Sequence, residues 1–222
     1  MNRSIVLWGL LLGGTFGIVA ALAHDDASLY GTTRVEFQPV DVDGLEGCTL
    51  VYQALQADPA HRGREPVSVS GQIGVFRTPG GSLLALKIGL KDVAPNAARA
   101  QPNFAYLQSA SWSTAKRLGV VGDLGEGFAV FGIRLSDPVA GKLLDEMLDR
   151  AKVTVGFDRV EGGADVLVPL DLTVSSAEAT PGGSFRRKHS SEAVTRFREC
   201  LASFRSVGGV PGMRDGDSRR GD

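Results

Sequence analysis

Few side chains in this sequence can do covalent or metal chemistry: two cysteines, Cys48 and Cys200, and three histidines, His24, His61 and His189. What the cysteines do depends on the compartment the chain reaches. Residues 1–23 carry Arg3, an apolar run from Ile5 to Ala20 and then Ala21-Leu22-Ala23, a small-x-small pattern just before His24-Asp25-Asp26. That order predicts a secretory signal peptide cleaved after Ala23. The alternative is an uncleaved anchor, since Ile5 to Ala23 approaches the length of a membrane span. In an oxidising compartment a single pair of cysteines reads most simply as one disulfide, Cys48 to Cys200, the other reading being two free buried thiols.

The histidines suggest one sharper chemistry. Cleavage after Ala23 would make His24 the N-terminal residue, whose amine and imidazole could chelate copper with His61 or His189 as a third nitrogen, like the histidine brace of lytic polysaccharide monooxygenases. Nothing else points to a reaction. There is no G-x-S-x-G, C-x-x-C, H-E-x-x-H, P-loop or G-x-G-x-x-G. Asp41, Asp43 and Glu46 lack the spacing of a calcium loop. Asp145, Glu146 and Asp149 fall on the solvent side of a helical pattern, where paired acids are usually just hydrated. The sequence therefore predicts no catalytic residue, no metal and no cofactor.

Two further clusters bear on binding. Phe104, Tyr106 and Trp112 could form an aromatic platform for a polysaccharide or small ligand, or could simply pack in the core. Arg186-Arg187-Lys188-His189 is a basic cluster that could touch anionic envelope polymers or lipids, though a four-residue cluster in a loop reads first as plain solvation. With 24 Lys and Arg against 25 Asp and Glu, no bulk field favours nucleic acid or an anionic membrane. The final Arg220-Gly221-Asp222 lies in a tail rich in Gly, Arg and Asp and carries no function.

The elements that must position these residues are mostly strands. TTRVEFQPV over Thr32–Val40 alternates, and Pro39 places it at a sheet edge. A strand begins at Cys48 and runs to Ala54. Val67–Phe76 and Leu83–Leu90 form a hairpin across Thr78-Pro79-Gly80-Gly81. Asn103–Ser113 and Gly127–Leu135 read as two more strands. Ser136 is expected to cap a helix over Asp137–Arg150, with Val139, Leu143, Leu144, Met147 and Leu148 on one face. A second hairpin follows across Glu161-Gly162-Gly163, its last strand carrying Val166, Val168, Leu170, Leu172 and Val174. Glu178–His189 reads as a loop. A closing helix spans about Ser190 to Phe204, with Val194, Phe197, Leu201 and Phe204 on one face and Cys200 at that face's edge.

The strand starting at a cysteine, the helix running into a hairpin (KLLDEMLDRAKVTVGFD, then ADVLVPLDLTV) and the F-x-x-C of Phe197 to Cys200 resemble the N-terminal domain of the sodium-driven flagellar motor protein MotY, over roughly Gly47 to Phe204. The resemblance implies a disulfide between Cys48 and Cys200 and a non-catalytic adaptor role in the cell envelope. The second, peptidoglycan-holding domain of that family has no counterpart in the residues after Phe204. The expectation is thus a signal peptide (1–23), an exported, periplasmic or secreted domain (24–205) and a disordered tail (206–222). The domain is α+β, antiparallel and β-rich, with two packed amphipathic helices and one disulfide. Its expected partners are envelope proteins of unknown identity, with no nucleic acid and no stable membrane span after cleavage.

Overall fold

The computed structural model describes residues 28–207, except 43–44, 60–64, 95–96, 116–117 and 124. The expected signal peptide, His24, His61 and the tail from residue 208 lie outside the described residues. Alternating apolar positions build a long antiparallel meander of β1 (Gly31–Val42), β2 (Leu45–Ala57), β3 (Pro66–Thr78) and β4 (Gly81–Asp92). Each of β2 to β4 buries one parity: Leu50, Tyr52 and Ala54, then Val67, Val69 and Ile73, then Leu86, Ile88 and Leu90. The period of two is why one face is so uniformly apolar. At the expected turn, Gly81 adopts a φ of 108°, and the Thr78 hydroxyl donates to the Gly81 carbonyl at 2.5 Å.

Next come β5 (Arg99–Ala100), β6 (Phe104–Gln108), β7 (Gly119–Asp123) and β8 (Phe128–Arg134). β8 pairs with β4, β7 flanks β8, and β5 pairs with the end of β4, completing a seven-stranded sheet whose first strand β1 is an edge, as Pro39 requires. β7 has no counterpart among the strands expected from the sequence. The strand expected over Asn103–Ser113 stops at Gln108, because the Ser109 N–H donates to the Trp112 carbonyl at 2.8 Å and folds the chain back.

Helix α1 (Pro138–Arg150) is capped by Asp137 rather than Ser136. The Asp137 carboxylate accepts from the Val139 N–H at 2.8 Å, and an ionised acceptor suits the positive helix end better than a hydroxyl. Ala140, Leu143, Leu144, Met147 and Leu148 are buried, and the helix ends at Ala151 in the left-handed region, φ 50°.

β9 (Lys152–Asp158) and β10 (Val166–Asp171) form the second hairpin, with β6 on the other side of β9. β10 lies against β1 and β2, and β6 against β4, so this smaller sheet spans the larger one. The strand expected to run on to Val174 is broken: the Asp171 carboxylate accepts from both the N–H and the hydroxyl of Thr173, at 2.9 and 2.6 Å, and turns the chain. All five alternating residues from Val166 to Val174 are still buried. The expected loop at Glu178–His189 is largely a two-stranded ribbon of β11 (Val174–Ala179) and β12 (Phe185–His189). Helix α2 (Glu192–Val207) follows, so residues 206–207 are helical rather than tail.

One contiguous core joins the two larger sheets and both helices. α2 buries Val194, Phe197 and Leu201 and packs on β1 and β2. There Cys200 is bonded to the fully buried Cys48, with a Cα–Cα distance of 5.9 Å and a sequence separation of 152. Among the described residues no helix is long and apolar enough to cross a membrane. Closing so long a loop in the unfolded chain is worth about 5 kcal/mol by chain entropy. Cys200→Ser should therefore lower unfolding free energy by about 2–5 kcal/mol in a denaturant titration, and the wild type under reductant should match it.

Candidate functional site

The side chains that could have carried chemistry are mostly bound to neighbours. Glu146, expected on a solvated helix face, has a side chain only 13% exposed. Its carboxylate accepts from the Ser109 hydroxyl at 2.6 Å, the Ser111 N–H at 3.1 Å and the Ser111 hydroxyl at 3.3 Å, and meets Arg150 at 3.0 Å. It pins α1 to the turn after β6. The Ser109 hydrogen bond, aided by the Ser111 donors and Arg150, holds the Glu146 carboxyl below its ordinary value against the opposing cost of burial.

Asp58, whose side chain is 1% exposed, and Asp92 share Arg159, both at 2.6 Å. This ties the ends of β2 and β4 to the turn after β9. Asp158 takes the Phe104 N–H at 2.8 Å and the Asn103 amide. His189 lies on β12, its Nδ1 at 2.9 Å from the Thr173 hydroxyl and 3.9 Å from Asp171. Among the described residues no group of three or more His, Cys, Asp and Glu side chains is placed to hold a metal.

The aromatics do not form a flat exposed platform. Phe104 and Tyr106 stack at 6.1 Å, Phe104 meets Phe131 of the large sheet edge-on at 5.7 Å, and Tyr106 is buried. Tyr106 lies across Gly156, its cross-strand partner, where a Cβ would sit 2.2 Å from the ring. Its hydroxyl reaches Asp165 at 2.9 Å, and burial with that carboxylate beside it pushes the phenol up to about 12. Trp112, half-buried, carries the Lys142 ammonium 4.4 Å above its ring. The only buried side-chain polar atom left without a partner among the described residues is the Tyr52 hydroxyl.

Arg187, read from sequence as part of a solvated basic cluster, has a structural task. Its Nε donates to the Thr32 carbonyl at 2.7 Å, Nη2 to Tyr30 at 2.7 Å and Nη1 to Ser28 at 3.2 Å. One guanidinium thus gathers the carbonyls leading into β1, where the Phe185 N–H also reaches the Ser28 carbonyl at 3.3 Å and bridges β12 to this segment.

Beside this edge opens a cleft of about 580 Å³. Its floor is a cross-strand row of Gln108, Thr154 and Pro169, with Lys152 opposite Asp171 in the neighbouring row. Tyr30 to Thr32 with Arg187 form one wall, and Ser109, Ala110 and Arg150 line it as well. Three cations thus border the cleft against one lining acid, Asp171. Lys152, Thr154 and Gln108 have no side-chain hydrogen bond or ion pair among the described residues. Sequence reasoning missed this place. The outward parity of Lys152 and Thr154 was visible, but not that Gln108 and Arg187, from distant segments, come beside them.

No family model, no curated protein and no solved structure matches the chain.

Two outcomes follow from these contacts. Because the folded Glu146 titrates below its unfolded value of 4.5, its stabilisation is complete above that value and disappears as pH falls through the folded one. Acid unfolding of Glu146→Gln should be correspondingly less steep below pH 4.5, as read by circular dichroism. Arg187→Ala removes charge-assisted hydrogen bonds worth about 1.5–3 kcal/mol each where shielded from water. A net loss of about 2–3 kcal/mol is expected, since water recovers part of the carbonyls' bonding, together with faster aggregation from the carbonyls left unpaired.

Proposed function

We propose that this chain is an exported adaptor domain of the cell envelope that acts by contact with other proteins rather than by catalysis, as its resemblance to the N-terminal domain of MotY implies. The observation that carries the reading is the Cys48–Cys200 bond joining β2 to the last helix, a link that persists in oxidising compartments and is rare where thiols are kept reduced. The polar groups fit it too. Glu146, Asp58, Asp92, Asp158 and Arg187 each hold segments together, which suits a rigid presenting surface.

Exposed apolar side chains give a partner something to cover. Val42 and Leu45 stand opposite each other at the β1–β2 end, 60% and 41% exposed, and Val160 and Leu167 are 65% and 47% exposed near β9 and β10. Scattered apolar residues alone are ordinary on a surface, so the paired Val42 and Leu45 carry more weight than the others.

The test has two arms. Maleimide labelling of cells before lysis should find Cys48 and Cys200 oxidised and the chain outside the cytoplasm. Photocrosslinkable residues at positions 42 and 45 should give discrete adducts with envelope proteins that are missing when the probe is at the exposed face of α2, for example position 199. Reduced cysteines in a cytoplasmic chain, or no adduct from either position, would sink the proposal.

A further inference from the structure

We propose that the cleft between β1, β12 and the β6–β9–β10 sheet binds an acidic saccharide, a run of sugars bearing carboxylates. The first reason is charge. Lys152 makes no ion pair among the described residues, although Asp171 stands opposite it across the β9–β10 pair, and Arg187 is bound to three neutral carbonyls, whereas Arg150 meets Glu146. A chain of nearly balanced composition therefore concentrates positive charge at this opening, where an anionic ligand gains from both long-range attraction and short contacts. Most donors of the three side chains remain unspent, since a guanidinium has five and an ammonium three.

The second reason is the floor. Gln108 and Thr154 are cross-strand neighbours whose amide and hydroxyl have no partner among the described residues, and both can donate and accept. Sugar hydroxyls need that two-way capacity; a bare anion does not. Pro169 and Tyr30 add the apolar surface against which the C–H face of a sugar ring packs. The volume falls within the range of small-molecule pockets.

The same geometry disfavours the other anionic ligands. The cations come from three separate elements, the last residue of α1, the first of β9 and the middle of β12, rather than converging on one point as a compact phosphate requires. An acidic peptide would bind most simply by adding a strand where the chain enters β1, but there β12 already bridges Ser28 and Arg187 takes the Tyr30 and Thr32 carbonyls.

The experiment is an NMR titration of the full chain with trigalacturonate, and at matched ionic strength with maltotriose, triglutamate and inorganic phosphate. Trigalacturonate should shift the amide signals of Gln108, Lys152 and Thr154 saturably, and the affinity should fall as salt rises. Lys152→Glu should weaken it about tenfold or more, a change of about 1.4 kcal/mol, and Gln108→Ala several-fold. Lys152→Glu sets a second carboxylate opposite Asp171, so its unfolding midpoint is measured alongside, and Gln108→Ala, uncharged, is the variant that decides if that midpoint falls. The proposal is overturned by any of four results: no saturable shift with trigalacturonate, equal binding of phosphate, equal binding of maltotriose or triglutamate, or affinity unchanged in both variants. None of these depends on a partner protein, so failure of the adaptor reading would leave the outcome of the titration unchanged.

Discussion

The bond between Cys48 and Cys200 solves a problem that non-covalent contacts solve poorly here. Helix α2 spans sixteen residues and sits at the end of the described chain, and among its described side chains it buries Val194, Phe197 and Leu201, with Phe204 half-covered. That is a small apolar contact with which to order a distant terminal segment. Crosslinking removes much of the entropy that docking a distant terminal helix would otherwise spend. The remaining contacts then act at short range. Arg198 donates to the Leu148 carbonyl at 2.5 Å, joining α2 to the last turn of α1, and the Arg77 guanidinium lies 4.9 Å over Phe204.

What was legible in the sequence follows from how local each cause is. The β3–β4 hairpin was readable because Thr78-Pro79-Gly80-Gly81 and two alternating runs are contiguous, and the faces of α1 and α2 because helical periodicity is contiguous too. β7 was not, since GVVGD has few apolar residues and no alternation over enough positions to register. β12 was hidden for a different reason: FRRKH looks like a solvated loop, and it is a strand because β11 pairs with it and Arg187 reaches carbonyls more than 150 positions away. Glu146 was misplaced on the same grounds. Periodicity put it outside, and only the arrival of Ser109 and Ser111, some 35 positions earlier, covers it.

Aromatic rings laid over cross-strand glycines are another device that register alone reveals. Tyr106 covers Gly156, Tyr52 faces Gly71, Phe76 covers Gly47 and Phe128 covers Gly89. Each ring fills the space its partner's missing side chain leaves and keeps a weak strand position shielded. For Tyr52 the arrangement has a cost: its hydroxyl is buried without a partner, and burial pushes its titration well above the ordinary range. The pairing of these glycines with aromatics was not legible in the sequence, because a one-residue slip would have turned every ring to the other face.

β1 connects the covalent closure to the cleft. Pro39 lies opposite Cys48, and Thr32, seven positions earlier, lines the cleft and gives its carbonyl to Arg187. At the rise of an extended strand these points are about 23 Å apart. The disulfide ties β2 to α2 beside Pro39, Arg187 holds the chain entering β1, and β2 pairs with β1 between these points. The cleft wall is thereby built on a strand edge supported along its length by β2, so Lys152 and Arg187 keep a fixed spacing while Arg150 pairs with Glu146. The carbonyls of Ser28, Tyr30 and Thr32 hold Arg187 in that wall by engaging all three of its nitrogens at once.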